Sequence, residues 1–162
     1  MKKRLTLTLN QELSKNLVKT KAEALVVGVN EGRVLNSISA SIDDATNGAI
    51  KKLIKRGEFE AKIGQSSYIA TNDGIAAERI FLIGMGNPKK PLNSDDLDKI
   101  SSVITNSLSS KKTTSGLVSL PSSTFDTKDL NDCSFLQYLG TSLENKSYTY
   151  EAKLNKKNNS GN

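Results

Sequence analysis

The stretch that decides the fold runs from Glu78 to Gly86 and reads Glu-Arg-Ile-Phe-Leu-Ile-Gly-Met-Gly. Four apolar residues follow one another from Ile80 to Ile83, and Asn-Pro comes directly after the second glycine. A short, uninterrupted apolar run that ends in turn residues is typical of a strand buried on both faces of a sheet. The stretch therefore predicts a central strand with helices packed above and below it.

Gly84 and Gly86 predict a tight turn where this strand leaves the sheet. Open α/β sheets usually bind ligands at the carboxyl ends of their strands, so the turn is a candidate for holding a phosphate group. A dinucleotide fingerprint would place a third glycine at the position of Lys89, and Pro88 and Pro91 intervene before any helix. A turn that only ends the strand is therefore the favoured interpretation.

The rest of the chain alternates strand and helix patterns around this strand. Strands are predicted over 5–9, 24–29, 67–70 and 116–120, and the third can form an antiparallel hairpin with the central strand. Residues 10–22 predict a loop or a short irregular turn, and helices are predicted over 38–54, 94–112 and 129–143. This order indicates an α/β domain built around a mixed sheet.

The predicted helix ends carry specific signals. Asn36 or Ser37 can cap the first helix, Ser94 can cap the second, and Gly57 fits the left-handed residue that ends many helices. Gly48 lies inside the first predicted helix, where glycine is less favourable than alanine by about 1 kcal/mol. A close approach to a neighbouring strand would explain that glycine.

The last turns of the first predicted helix are strongly basic. Cations at the carboxyl end of a helix are favoured by its dipole, which gives the cluster a structural explanation. The same side chains are also candidates for binding the phosphates of a nucleic acid. They are Lys51, Lys52, Lys55 and Arg56.

The amino-acid composition limits the kinds of catalytic and metal site that this chain can contain. The 162 residues predict one domain over 1–150 and a polar linker or tail over 151–162. The sequence has no histidine, which excludes a Ser-His-Asp triad and His-ligated zinc within this chain. Its single cysteine, Cys133, excludes an internal disulfide and is interpreted as a small buried residue. No stretch approaches the roughly 18 apolar residues of a membrane span, and we expect a cytoplasmic protein.

The net charge of +6 is concentrated at the chain ends. The first four residues contribute +3 and the tail from Glu151 contributes +2, which leaves +1 for residues 5–150. A nucleic-acid-binding domain usually carries its basic surface on the folded body. We therefore expect DNA binding to be weak and independent of sequence.

Four segments occur in a characteristic order and spacing: residues 24–29, 48–59, 62–65 and 78–86. Together they resemble the amino-terminal domain of the cytosolic leucyl aminopeptidases. The similarity extends over residues 22–110 and, less closely, to Tyr150, where that family passes into its catalytic domain. The resemblance implies a three-layer, macrodomain-like α/β fold with a mixed, mainly parallel sheet flanked by helices.

The resemblance also implies a division of roles between domains. In that family a second, larger domain holds two divalent metals, manganese or zinc, and removes amino-terminal residues from peptides by metal-assisted hydrolysis. Its Asn-Thr-Asp-Ala-Glu-Gly-Arg motif has no counterpart here, so no catalytic residue and no metal ligand is assigned to this chain. Family members are typically homo-hexamers. The chain is expected to be a non-catalytic domain that contacts its own catalytic domain and serves assembly or regulation.

Two other functions remain open. A DNA-binding or regulatory module is consistent with the basic charge and with DNA binding by some bacterial members of the family. A macrodomain that binds ADP-ribose or a related nucleotide has local support only from Gly84 and Gly86. A steep loss of affinity with salt would favour the first, and thermal stabilisation by ADP-ribose would favour the second.

Overall fold

Strands and helices alternate along the part of the chain that the computed structural model describes, residues 6–9, 17–32, 35–70, 74–110, 113, 115–121 and 141. A single 3₁₀ turn spans Leu17–Lys19. The helices are α1 (Ser37–Ala45), α2 (Ala49–Lys55) and α3 (Ser94–Ser110). The strands are β1 (Thr6–Leu9), β2 (Leu25–Asn30), β3 (Ser66–Ala70), β4 (Arg79–Gly86) and β5 (Ser115–Ser119).

The strands form one sheet in the order β1-β5-β2-β4-β3. The pairs β1–β5, β5–β2 and β2–β4 are parallel, and β3 pairs with β4 in the antiparallel direction. Val27 lies opposite Leu82, and Ile69 lies opposite Ile80. The mixed, mainly parallel sheet and the β3–β4 hairpin are therefore confirmed.

Both faces of β4 are covered, as its apolar run predicts. Residues 80–86 are all buried. Phe81, Ile83 and Met85 pack in one apolar cluster with the buried face of α3. Ile80 and Leu82 belong to a second cluster, which includes the buried residues of α1 and α2. The helices thus form two outer layers around the sheet, which confirms the predicted three-layer α/β architecture.

The prediction of one helix over 38–54 is wrong, because the chain turns between α1 and α2. Asn47 and Gly48 both have positive φ, at 57° and 80°. A Cβ placed on Gly48 would meet no heavy atom within 4 Å, so a close strand does not explain this glycine. The left-handed turn does. The buried carboxylate of Asp43 stabilises the turn by accepting a hydrogen bond from the backbone N–H of Lys51 at 3.0 Å.

The helix caps are partly as predicted. Asn36 Oδ1 accepts a hydrogen bond from the N–H of Ser39 at 2.9 Å, and Gly57, just beyond α2, has φ of 72°. The cap of α3 is Asn93 and not Ser94. Asn93 Oδ1 accepts from the N–H of Asp96 at 2.9 Å, and Asp96 Oδ2 accepts from the N–H of Asn93 at 3.1 Å. This reciprocal pair is a capping box, which requires the cap three residues before the acidic partner.

Several predictions lie outside the described residues. They include the helix over 129–143 apart from Thr141, which is helical, and also Cys133 and the tail over 151–162. Within the described residues, no helix is long and apolar enough to cross a membrane.

Candidate functional site

A cleft of about 530 Å³ opens where the parallel strands β2 and β4 end. Glu31 lines it directly after β2, and Gly86 lines it at the last position of β4. The backbone N–H of Glu31 donates to the carbonyl of Gly86 at 2.9 Å, which joins the two strand ends. Ligands of open α/β sheets usually bind at this edge, so the cleft is the candidate site.

One side of the cleft comes from residues 59–65, which we call the crossing segment because they pass over the end of β4 before β3 begins. Lys62 and Ile63 of this segment line the cleft. Gln65 holds the segment together, since its Oε1 accepts from the N–H groups of Glu60 at 3.0 Å and Lys62 at 3.2 Å. Ala61 is buried with φ of 60°, a conformation that alanine adopts only under constraint.

Two backbone hydrogen bonds fasten the crossing segment to β4. The N–H of Gly84 donates to the carbonyl of Gln65 at 2.9 Å, and the N–H of Gly86 donates to the carbonyl of Ala61 at 2.9 Å. A Cβ on Gly84 would overlap the carbonyl oxygen of Lys62. Glycine is therefore required at this position because another backbone segment lies against it.

The prediction that Gly84 and Gly86 form a turn after the strand is wrong, because both lie within β4. The strand continues past the apolar run and gains a covering from the crossing segment. Only Gly86, whose φ is 76°, lines the cleft. Binding of a phosphate or another ligand by these two glycines stays a prediction.

The remainder of the cleft is formed by the loop from Asn87 to Asn93 and the first turn of α3. Asn87 Oδ1 accepts from the N–H of Lys89 at 2.9 Å, and the carbonyl of Asn87 accepts from the N–H of Lys90 at 3.1 Å. This turn places Lys90 at the cleft, and the capping box places Asp96 there. Hydrogen bonds thus hold the backbone of the residues whose charged side chains line the cleft.

Neighbouring carboxylates shift the pKa of Lys62 at the cleft. Its Nζ lies 2.7 Å from Glu60 Oε2, and both side chains are exposed. The hydrogen bond to Glu60 and the negative charge of Glu60 raise the pKa of Lys62 above its ordinary value, and Glu31 adds to this rise. Lys62 is therefore fully protonated at neutral pH, and Glu31 is near enough to attract it.

The basic residues that the sequence singled out lie on α2 and directly after it, and none of them lines the cleft. All four residues are exposed, and the structure places them on one short helix and its C-terminal cap. Lys51 Nζ lies 3.8 Å from Asp43 Oδ2, so one of the four charges is partly compensated. A shallow groove of about 310 Å³ lies beside them, lined by Gly32, Leu35, Ile54 and two of the lysines. Nucleic-acid binding by Lys51, Lys52, Lys55 and Arg56 stays a prediction.

Comparison with known proteins identifies the family. The sequence profile of the cytosol aminopeptidase family, N-terminal domain, matches residues 26–157. This chain belongs to that family. The cytosol aminopeptidase of Pseudomonas aeruginosa is 35% identical over 88 residues, which make up 54% of this chain and 18% of that protein. The probable cytosol aminopeptidase of Cupriavidus taiwanensis is 34% identical over 98 residues, or 60% of this chain and 19% of that protein. The chain spans less than a fifth of these curated relatives.

Solved structures show the same fold. A mutant of tomato leucine aminopeptidase superposes with a TM-score of 0.65 and 16% identity, covering 94% of this chain and 32% of that one. The macrodomain of Mycobacterium tuberculosis DarG superposes with a TM-score of 0.60 and 19% identity, covering 90% of this chain and 95% of that one. The macrodomain-like fold that the resemblance implies is therefore confirmed.

The described residues do not fit a metal centre. No group of three or more histidine, cysteine, aspartate or glutamate side chains among them is arranged to hold a metal ion. The two divalent metals that the resemblance implies for the catalytic domain therefore find no ligand set in this part of the chain.

No role was predicted from the sequence for Glu31, Lys62 or Lys90, although a signal for Glu31 was present. The turn Asn-Glu-Gly after β2 was visible and places Glu31 at the end of a strand. The positions of Lys62 and Lys90 depend on local hydrogen bonds of Gln65 and Asn87 within their two loops, and such loop contacts have no apolar periodicity.

Proposed function

We propose that this chain is a non-catalytic amino-terminal domain of a metal-dependent leucyl aminopeptidase and that it serves assembly or regulation of that enzyme. The parent enzyme removes amino-terminal residues from peptides in the cytoplasm. Its catalytic domain holds two manganese or zinc ions and forms the homo-hexamer. In this proposal the present chain contacts that catalytic domain and supplies no reacting group.

The observation that carries the proposal is the family match over residues 26–157, in a chain that spans less than a fifth of its relatives. The match takes in all but the first residue of β2, the whole of β3, β4 and β5, and the helices α1, α2 and α3. The sheet buries an apolar cluster on each face, as expected of a unit that folds by itself. Such a unit suits a domain appended to a separate catalytic domain.

Two measurements test this function. First, the purified 162-residue protein is assayed on leucine amide with added manganese or zinc, and we expect no turnover. Metal-dependent turnover that survives controls for contaminating peptidases would refute the non-catalytic role.

The second measurement uses a chimera in which residues 1–150 replace the matching part of the Pseudomonas aeruginosa cytosol aminopeptidase. The control is the same enzyme with that part deleted. We expect the chimera to keep the number of subunits and the activity of the intact enzyme, and the deletion variant to lose one of these two properties. A deletion variant that matches the intact enzyme in number of subunits, activity and response to amino acids would refute a role in assembly or regulation.

Nucleotide binding is the second candidate, and the place of the cleft favours it. The fold is that of macrodomains, and the cleft lies at the carboxyl edge of β2 and β4. Two carboxylates, Glu31 and Asp96, line the cleft and would repel a pyrophosphate. Thermal stabilisation by ADP-ribose, lost in Gly86→Val, would support this candidate. An unchanged melting temperature at saturating ADP-ribose would remove it.

DNA binding is the third candidate, supported by the basic surface of α2. Most of the net charge lies in residues 1–4 and 151–162, and contacts to phosphates carry no sequence information, so we expect weak, sequence-independent binding. Removing residues 1–4 and 151–162 should abolish most of it, and Lys51→Ala with Lys55→Ala should remove less. A trimmed domain that binds DNA tightly at physiological salt would make the α2 surface the true site.

A further inference from the structure

The charges that line the cleft are balanced. Two ammonium groups, of Lys62 and Lys90, stand among two carboxylates, of Glu31 and Asp96. A polyanion entering the cleft meets both carboxylates, and a polycation meets both lysines. A ligand that carries one positive and one negative group avoids both penalties, because each of its charges finds a partner of opposite sign.

Two of the four charges already have partners. Lys62 is paired with Glu60 at 2.7 Å, and Asp96 accepts the N–H of Asn93 at 3.1 Å. These contacts satisfy part of the capacity of Lys62 and Asp96. The negative charge of Glu31 also acts on Lys62, in addition to that of Glu60. Lys90 and Glu31 are the partners that we assign to the two charges of a ligand.

The cleft also has an apolar surface. Leu92 is buried in the same cluster as α3, and Ile63 packs against that cluster. Pro91 lies beside them at the cleft. Apolar groups of this kind stabilise a ligand through the aliphatic area that it removes from water. The volume of about 530 Å³ is in the range of small-molecule sites and is ample for a free amino acid.

Hydrogen bonds hold the backbone around the cleft in place before any ligand binds. Hydrogen bonds of Gln65 hold the backbone of Lys62, those of Asn87 hold the backbone of Lys90, and the capping box holds Asp96. Binding then requires ordering of side-chain ends only, which lowers its entropic penalty.

We infer that this cleft binds a free amino acid with an apolar side chain as its zwitterion, with the carboxylate at Lys90 and the ammonium at Glu31. The aliphatic side chain contacts Ile63, Pro91 and Leu92. Such amino acids are the products of an aminopeptidase, so the inference assigns the domain a product-sensing role. That role rests on the proposed function. The binding step itself is independent of catalysis.

The test is a titration of the full 162-residue protein with L-leucine, followed by two-dimensional ¹H–¹⁵N NMR. We expect saturable shifts of the amides of Lys62, Gly86 and Lys90, with a dissociation constant on the order of 1 mM or lower. Leucinamide lacks the carboxylate and 4-methylpentanoate lacks the ammonium. Each should bind about tenfold more weakly than leucine, which corresponds to about 1.4 kcal/mol.

Variants locate the two charges. Lys90→Gln and Glu31→Gln should each weaken leucine binding about tenfold. Lys89→Gln is the matched control, because Lys89 is an exposed neighbour that does not line the cleft, and it should bind as the unchanged protein does. Circular dichroism checks that each variant is folded.

Three results would overturn the inference. The first is the absence of saturable shifts up to about 50 mM leucine, which is far above the concentration expected to fill the site. The second is equal binding of leucine and its two singly charged analogues. The third is ADP-ribose binding in the cleft that becomes stronger in Glu31→Gln. The chimera separates this outcome from failure of the proposed function. Leucine binding together with a deletion variant that behaves as the intact enzyme refutes the function alone. An active chimera whose amino-terminal domain does not bind leucine refutes the inference alone.

Discussion

Replacing Gly84 by alanine tests whether the crossing segment lies against β4. The new Cβ would overlap the carbonyl oxygen of Lys62 and stand 2.8 Å from the carbonyl carbons of Ala61 and Lys62. Ordinary Cβ contacts lie at 3.4–4 Å. The obstacle is backbone and not the tip of a flexible side chain, so the segment has to move.

Movement of the segment breaks its attachment to the sheet. The hydrogen bonds from Gly84 to Gln65 and from Gly86 to Ala61 are both 2.9 Å long, and both donor residues are buried. A buried polar group left unsatisfied costs about 1–3 kcal/mol, and overpacking adds about 1–3 kcal/mol. Because partial relaxation recovers some of this, we expect a loss of about 3–5 kcal/mol, a large part of the roughly 5–15 kcal/mol that stabilises a domain.

The assay is urea denaturation of Gly84→Ala, with Gly64→Ala as the matched control from the crossing segment itself. Gly64 has φ of 89° and open space around its Cβ position, so alanine there meets only backbone strain of about 1–2 kcal/mol. Gly84→Ala should therefore be clearly less stable than the control. Equal stabilities of the two variants would refute the described course of the segment.

The remaining predictions concern three buried or capping side chains. Leu82→Ala should lower the free energy of unfolding by about 2–5 kcal/mol, and a loss below about 1 kcal/mol would place β4 at an exposed edge. Asn36→Ala should lower it by about 1 kcal/mol through loss of the α1 cap, and unchanged thermal melting would contradict that role. Asp43→Ala should lower it by about 1–3 kcal/mol by freeing the N–H of Lys51, and undiminished protection of that amide from hydrogen exchange would argue otherwise.

The strands were predictable because burial on both faces produces a continuous apolar run in the sequence. β2 and β4 are covered on both faces, so nearly every position in them has to be apolar. The extension of β4 through Gly84 to Gly86 was not predictable from the apolar run. It depends on the crossing segment, whose backbone occupies the space that a side chain would need.

The helical errors have local causes. The apolar spacing continues from Ile42 to Ile50 across the α1–α2 turn, since both side chains face the same cluster. Periodicity alone therefore predicts one helix, although Asn47-Gly48 is a turn signal that the apolar pattern obscures. For α3, the acidic residue three positions after Asn93 identifies the true cap, and the neighbouring serine is an equally suitable residue type.

The cleft was predictable in its location but not in its composition. A Gly-containing strand end near Glu31 and Gly86 indicates the carboxyl edge of the sheet. The meeting of Lys62 and Lys90 at that edge depends on two loops, one shaped by the Gln65 side chain and the other by hydrogen bonds to Asn87. Such contacts have no periodic signature, so only the three-dimensional structure reveals the charge balance.

Because β1 pairs with β5, the sheet cannot be completed until β5 has been synthesised. Thr6 pairs with Ser115, roughly 110 residues later, so the first described strand has to wait for the last described one. At bacterial or eukaryotic synthesis rates of about 5–20 residues per second, that wait lasts about 5–20 seconds. During that time β2, β3 and β4 can already pair, and β1 is an unpaired Thr-Leu-Thr-Leu segment open to chaperones. Among the described strands, β1 is thus synthesised before its only described partner, β5, and cannot join the sheet until β5 is available.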